Sequence, residues 1–434
     1  MKDSFCSSPW FHVRISYDGN FNICRWSRED NTNYNIKDCT IMDFYNSAEM
    51  KQIRLDLLNG GYPKTCASCY YEDNFGKVGG RKKQLLKSAI TVDDFALKMR
   101  SSPHYEMFKH SYINGGHGNH MPVDLQLDLG NTCNSACIMC YPRASSRLEQ
   151  DYKILTGIDP QLFPPHIPFK SWTRDPQLLE RVVNEIGELT HIKYIHFLGG
   201  ETLYDPAFYK ICDKLIERGL AKNIIIGTTT NGTVYTEKLE RYFSEFKQFH
   251  LGISIETVTS LNDYIRYPSK INAVLENIKK FLTLRDSNDL FVSLRITPTV
   301  FTVHELDLVF KFMIDNHIVA ESCNILTDPP ALRMELMPEN IRNDMIQKLE
   351  SMIEEYSLAK TENENVRNKH RIGETIANNI IEYYTFLKDY TVPHNVEELR
   401  YDMVKYIKAF EQVHKNRITD YAPQYAEFLA SYGY

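Results

Sequence analysis

The stretch Val123-Asp-Leu-Gln-Leu-Asp-Leu129-Gly-Asn-Thr-Cys133-Asn-Ser-Ala-Cys137-Ile-Met-Cys140-Tyr141 decides the fold. Its first half alternates Val123, Leu125, Leu127 and Leu129 with Asp124, Gln126 and Asp128, the period-2 pattern of a strand. Its second half is a loop carrying three cysteines at CxxxCxxC spacing. Alternating α/β folds build their sites where a strand gives way to a loop at its carboxyl end.

Working outward, strand and helix signals alternate. Asp175-Pro176 opens a helix with a cap residue and a proline in the first turn, and Leu178, Leu179, Val182, Val183 and Ile186 form its apolar face. The strand-like run Ile192–Leu198 follows, then a helix near 206–218 closed by Gly219 and a strand at Ile224–Thr230. His250–Glu256 reads as a strand and precedes a helix with Ile271, Val274, Leu275, Ile278 and Phe281 on one side. Phe291–Thr297 and Ser322–Leu326 read as two further strands, with a helix from about 304 between them. Six strand–helix units imply an α/β fold with a parallel sheet and right-handed crossovers. Six are too few for a closed eight-stranded barrel, so an open barrel or a doubly wound sheet is expected.

Residues 1–85 are different in kind, rich in aromatics, cysteine and turn signals. Phe11–Ile15 and Phe21–Ile23 are short strands, and Asp18-Gly19-Asn20 marks the hairpin between them. Residues 86–121 read as a linker. The histidines within it (His104, His110, His117, His120) lie among glycines, and a flexible connection explains them more simply than a metal site. The partial barrel is expected over 122–335. Residues 336–434 lack strand signals and read as three helices, 338–358, about 371–388 and 395–416. No internal repeat is evident.

The chain has 434 residues and a formal net charge of −6, which gives no electrostatic footprint for nucleic acid or an anionic membrane. The N-terminal MKDSFCSSPWF has no apolar run resembling a signal peptide, and no stretch approaches the length of a membrane span. A cytoplasmic protein is expected, and there ten cysteines are more often metal ligands or redox groups than a disulfide framework. Cys39, Cys212 and Cys323 stand alone, and the other seven fall into two sets.

Cys133, Cys137 and Cys140 form the first set. Cluster ligation normally uses four thiolates, so three on one loop leave one iron of a [4Fe–4S] cube open to another ligand. Zinc is the alternative, and it fits less well because a structural zinc needs a fourth ligand. The second set is Cys6, Cys24, Cys66 and Cys69, in the pattern C…Gx4C…CxxC. These four can converge on one tetrahedral centre, and on spacing alone a zinc ribbon stays open. Cys39 lies between them as a possible competitor. Glu72, Gly76 and Arg81 follow the C-x-x-C arm and read as solvated polar groups.

The CxxxCxxC loop resembles that of the radical S-adenosylmethionine (SAM) superfamily, in which the open iron chelates SAM. Other elements match in order. Phe197-Leu-Gly199-Gly200-Glu201 ends the second core strand, Thr230-Asn231-Gly232 the third, and Ile253-Ser254-Ile255-Glu256, followed by Arg266, the fourth. The resemblance implies that Gly199, Gly200 and Glu201 receive the SAM amino group, that Ser254 and Arg266 serve its carboxylate and ribose region, and that Asn231 belongs to the cofactor site. The family usually has aspartate where Glu256 stands, and the GxIxGxxE element of the fifth strand is absent from Phe291–Val300. The implied fold is an open partial (β/α)6 barrel with a small N-terminal α+β cluster-binding domain and a C-terminal helical extension.

The second cysteine set resembles the twitch and SPASM subdomains of the same superfamily, which hold an auxiliary [4Fe–4S] cluster. Those subdomains usually follow the core, and this one precedes it. The resemblance implies reductive cleavage of SAM to a 5′-deoxyadenosyl radical for hydrogen abstraction, with an electron donor such as flavodoxin or ferredoxin. A peptide substrate is the first expectation and a carbohydrate- or nucleotide-derived small molecule the second. A non-enzymatic zinc-binding interaction protein would account for either cysteine set singly but not for their combination with Gly199-Gly200-Glu201, Ser254 and Arg266.

Overall fold

The computed structural model describes residues 4–27, 33–74, 80–81, 104–168, 170–285, 288–359 and 367–434. The Glu72 side chain, Gly76 and residues 86–103 of the expected linker lie outside what is described. The strands are β1 (His12–Ile15), β2 (Phe21–Asn22), β3 (Asp124–Asp128), β4 (Tyr194–Leu198), β5 (Ile225–Thr230), β6 (Gln248–Ser254), β7 (Leu290–Ile296) and β8 (Val319–Cys323). Their order in the sheet is β2-β1-β3-β4-β5-β6-β7-β8. All six core strands read from the sequence are present, and the α/β class holds. Among the described residues no helix is long and apolar enough to cross a membrane.

The chain divides into two compact units, the first comprising residues 1–130, 169–227 and 245–248. In it β1 and β2 form the antiparallel hairpin expected around Gly19, and β1 also runs parallel to β3, with His12 opposite Asp124 and Ile15 opposite Leu127. β3 in turn pairs in parallel with β4 from Asp124–Tyr194 to Asp128–Leu198. Period-2 alternation sorts the side chains of these three strands. Val13, Ile15, Leu125, Leu127, Ile195 and Phe197, all buried, share one face. The other face is polar and also buried: Arg14 reaches Asp128 through Nε (2.9 Å) and Nη2 (2.6 Å), and His12 Nδ1 lies 3.1 Å from Asp124. The pairing of β1 with β3 is thus fixed by the Arg14–Asp128 ion pair and the His12–Asp124 contact as well as by apolar packing, because a buried charge needs a matched partner.

A second buried charge organises the same unit. Arg54, on the helix Ala48–Leu58, is 0% exposed and donates to the carbonyls of Pro9 (2.9 Å), Gly116 (3.1 Å) and Tyr45 (2.8 Å). Its guanidinium also sits 4.3 Å from the Tyr45 ring centroid. Desolvation lowers its pKa to about 10. Helices Pro176–Glu188 and Pro206–Glu217 start as the sequence predicts: Asp175 caps Gln177 and Leu178, and Asp205 caps Ala207, each ahead of a proline.

The second unit comprises residues 131–168, 228–244 and 249–434. β6 and β7 are parallel from Phe249–Leu290 to Ser254–Arg295, and β7 is parallel to β8 with an irregularity at Leu294/Arg295. β8 begins earlier than the expected Ser322. Three long helices follow, Glu339–Ala359, Arg367–Asp389 and Val396–His414, where the sequence predicts them, and two short ones that it does not predict, Ile418–Tyr421 and Ala426–Ser431, come after.

Candidate functional site

In the first unit, Gly130 turns the chain out of β3 with φ +131°, a conformation that favours glycine, and a Cβ there would lie 2.4 Å from Ser171 Oγ. Ser171 Oγ holds the Leu129 carbonyl (2.8 Å), and the Trp172 indole N–H holds that of Asp128 (3.0 Å). Gly199 stands against the same turn, and a Cβ on it would lie 3.2 Å from the Gly130 carbonyl oxygen. Gly199 and Gly200 are half-buried and lead to Glu201, 1% exposed, whose carboxylate accepts from the Leu203 N–H (3.1 Å).

The three-cysteine loop lies in the second unit and is held through its backbone. The Ala136 N–H donates to the Tyr267 carbonyl (2.7 Å) and the Ile138 N–H to that of Ile265 (2.9 Å). Ser145 Oγ donates to the Ser135 carbonyl (2.5 Å), and Cys133 N–H to Ser146 Oγ (3.3 Å). Ala136 and Ile138, between the ligands, are fully buried, whereas Cys133 and Cys140 are half-buried. Anchoring the spacers and leaving the thiols to one side is what a ligand loop requires.

Asn231 Nδ2 donates to Asn134 Oδ1 (2.8 Å) and Ser135 Oγ (3.1 Å), while its Oδ1 accepts from the Thr233 N–H (3.0 Å) and hydroxyl (2.6 Å). Arg266 donates through Nε and Nη2 to Glu256, with Nη2 2.7 Å from Oε1, and its Nη1 lies 3.9 Å from Cys137 Sγ. Glu256, whose role no sequence motif discloses, is thus the counter-ion of Arg266. Burial pushes the Cys137 thiol far up, Arg266 opposes this, and Cys140 and Cys133 add to it. A metal would reverse that balance, since coordination removes the thiol proton outright. Ser254 is half-buried at the end of β6, opposite Arg295.

In the first unit, Cys6, Cys24, Cys66 and Cys69 line one pocket. Cys6 precedes the helix Ser8–Phe11 that feeds β1, and Cys24 follows β2, so the hairpin sets these two. Cys66 ends a short turn and Cys69 lies on the helix Ala67–Asn74. Burial raises the thiols of Cys6, Cys24 and Cys66, that of Cys24 to about 11. Arg81 lines the cavity at 2% exposure, donates to the Phe5 carbonyl (3.2 Å) and draws the Cys6 thiol down. It is not the solvated group that the sequence suggests. Cys39 Sγ turns to the Asn35 carbonyl (3.5 Å) and is not among the cavity residues. Among the described residues no three His, Cys, Asp or Glu are gathered as a single ion would require. The donor set fits a cluster: four soft thiols around a cavity, and three on a separate anchored loop. His104 meanwhile packs edge-on against Phe11, 4.8 Å between centroids.

Comparison with known proteins finds two domains in the chain. The radical SAM superfamily model matches residues 127–299, which contain Cys133, Cys137 and Cys140. An iron–sulfur cluster-binding domain of the SPASM type matches residues 6–70, which contain Cys6, Cys24, Cys66 and Cys69 as well as Cys39. No curated protein matches the sequence. Among solved structures, native anSMEcpe with bound AdoMet is 17% identical over 55% of this chain and 62% of that one, with a TM-score of 0.40. Streptococcus suis SuiB bound to S-adenosylmethionine is 14% identical over 62% of this chain and 55% of that one, at 0.32. SuiB bound to the precursor peptide SuiA is 14% identical over 58% and 51%, also at 0.32. The match thus spans between 51% and 62% of the length of these chains. [4Fe–4S] clusters and SAM are the cofactors that the two domain matches call for. The chain carries a radical SAM domain over residues 127–299, preceded by a SPASM-type iron–sulfur cluster-binding domain over residues 6–70.

Proposed function

We propose that the protein cleaves SAM reductively and uses the resulting radical to modify a peptide or peptide-derived substrate. When bound, a cube held by Cys133, Cys137 and Cys140 supplies one open iron for SAM and the electron that yields methionine and a 5′-deoxyadenosyl radical, which abstracts a hydrogen atom. The observation that carries this reading is the three-thiol loop, anchored by its spacer residues and matched to the superfamily at that point. The chain's own contribution is orientation and the exclusion of water. Gly199 and Gly200 offer close backbone approach, and Glu201 and Ser254 offer polar contacts for SAM. Asn231 orders the loop through Asn134 and Ser135, and Arg266 is the cationic neighbour of Cys137.

Cys6, Cys24, Cys66 and Cys69 hold the auxiliary cluster in this proposal. Four thiolates leave it no open iron, which suits electron transfer rather than substrate chelation. A reducing cytoplasm and a flavodoxin or ferredoxin donor follow from the same chemistry. The peptide assignment rests on the resemblance to enzymes with twitch or SPASM subdomains, which often modify peptides. Formation of 5′-deoxyadenosine by the reduced, reconstituted protein tests the activity. Incubating it with SAM, a strong reductant and cell extract, then searching by mass spectrometry for a consumed metabolite or peptide, tests the substrate. A consumed peptide supports the proposal, and a consumed carbohydrate or nucleotide derivative replaces it.

A further inference from the structure

The C-terminal helix Val396–His414 carries Tyr406, Phe410 and His414 one helical turn apart, on a single face, at 2%, 1% and 5% exposure. Adjacent rings along this ladder have centroids 5.2 Å apart in both steps. The two ends of the ladder reach the cysteine loop or the segment that holds it, and Phe410 joins them. The Tyr406 hydroxyl donates to the Ile138 carbonyl (2.7 Å), between Cys137 and Cys140, and its ring stacks on Phe163 at 4.8 Å. Phe410 meets the same Phe163 at 5.6 Å. His414 stacks on Tyr267 at 4.1 Å, and its Nε2 lies 3.0 Å from Asp151 on the helix Ser146–Ile158 that follows the loop.

Tyr267 is the residue whose carbonyl holds the Ala136 N–H, and nearby Ile265 holds the Ile138 N–H. The ladder therefore fixes the loop twice, once at the Ile138 carbonyl and once through the segment that receives the loop's amide protons. The Ile138 N–H belongs to the Cys137–Ile138 peptide and its C=O to the Ile138–Met139 peptide, so two successive peptide groups are held, and neither can rotate without breaking a buried hydrogen bond. Rotation of either would move the Cys137 and Cys140 thiols on the two sides of them.

We propose that Tyr406, Phe410 and His414 are positioning residues for the three-cysteine cluster, making the C-terminal helix part of the SAM-cleaving machinery. This rests on the radical SAM reading above. The test is Tyr406→Phe, which keeps the ring and removes only the donor, in full-length protein reconstituted anaerobically with both clusters. The signals to follow are the EPR signal that responds to added SAM, its midpoint potential, and iron loss to a chelator. The SAM-insensitive signal of the auxiliary cluster serves as the internal reference.

The expected result is a shifted midpoint potential for the SAM-responsive signal and iron loss about two- to tenfold faster, the range set by one net hydrogen bond. The auxiliary signal and the exposed Tyr401→Phe variant on the same helix should match wild type. A Tyr406→Phe protein with wild-type potential and iron retention overturns the proposal, as does an equal effect from Tyr401→Phe. A wild type with no SAM-responsive signal overturns the functional reading and the ladder's role together.

Discussion

Glu256 and Arg266 form a buried ion pair beside Cys137, with Arg266 Nη2 2.7 Å from Glu256 Oε1 and Nη1 3.9 Å from the sulfur. The Glu256 side chain is wholly buried and that of Arg266 nearly so. Two of the three guanidinium nitrogens are committed to the carboxylate, and the third faces the thiol. The pair is neutral overall, but it is oriented with its guanidinium end toward the cysteine loop, where thiolates bound to iron would concentrate negative charge.

Removing one partner strands the other. Glu256→Gln should lower stability by about 3–5 kcal/mol, because an uncompensated buried guanidinium remains. Anaerobic urea unfolding of the cluster-free protein reads this directly. Wild-type stability in that variant would mean that the pair is not buried as described.

SAM affinity separates the residues that meet the ligand from those that brace the loop. Glu201→Ala and Ser254→Ala should each weaken SAM binding about tenfold, the worth of one charge-assisted contact. Equilibrium dialysis of the reconstituted protein with labelled SAM is the measurement. Unchanged affinity in both variants would remove these positions from the site.

The first unit depends on Arg54. Arg54→Met fills the space but leaves the carbonyls of Pro9, Tyr45 and Gly116 without a donor. The cost should be about 3 kcal/mol or more, from three buried acceptors left unsatisfied. A shift in the urea midpoint shows it, and a variant as stable as wild type would show that water replaces the guanidinium.

The sequence is most informative where one local rule acts alone. Asp175-Pro176 announces its helix because cap and proline act within one turn, and β3 is plain because its alternation is unbroken. The cysteine loop is legible for the same reason. The parallel pairing of β1 with β3 is hidden, since it depends on Arg14 meeting Asp128 more than a hundred residues away. The helix Ser146–Ile158 escapes the sequence reading: Ser145 caps it, but only Leu148, Tyr152 and Leu155 are buried along it. Arg81 looks like a surface charge because nothing local marks a side chain that folds back onto Cys6. The grip of Tyr406 on Ile138 likewise joins residues that no short pattern connects.

The two cysteine sets should be separable by function. Cys66→Ala/Cys69→Ala should leave SAM reduction measurable at the three-cysteine loop while conversion of the substrate fails. Assays of 5′-deoxyadenosine and of product in the same sample test both halves. Normal substrate turnover by that variant would make the N-terminal domain structural and favour a zinc site there.

The central claim is that the chain carries two cubes, one on three thiols and one on four, and metal content tests it most directly. Iron and acid-labile sulfide, measured after anaerobic reconstitution, should come to about eight of each per chain, two [4Fe–4S] clusters held by cysteine. The triple variant Cys133→Ala/Cys137→Ala/Cys140→Ala should keep about half, in the set formed by Cys6, Cys24, Cys66 and Cys69. A wild type that holds only zinc, or a triple variant that retains all its iron, would contradict the account.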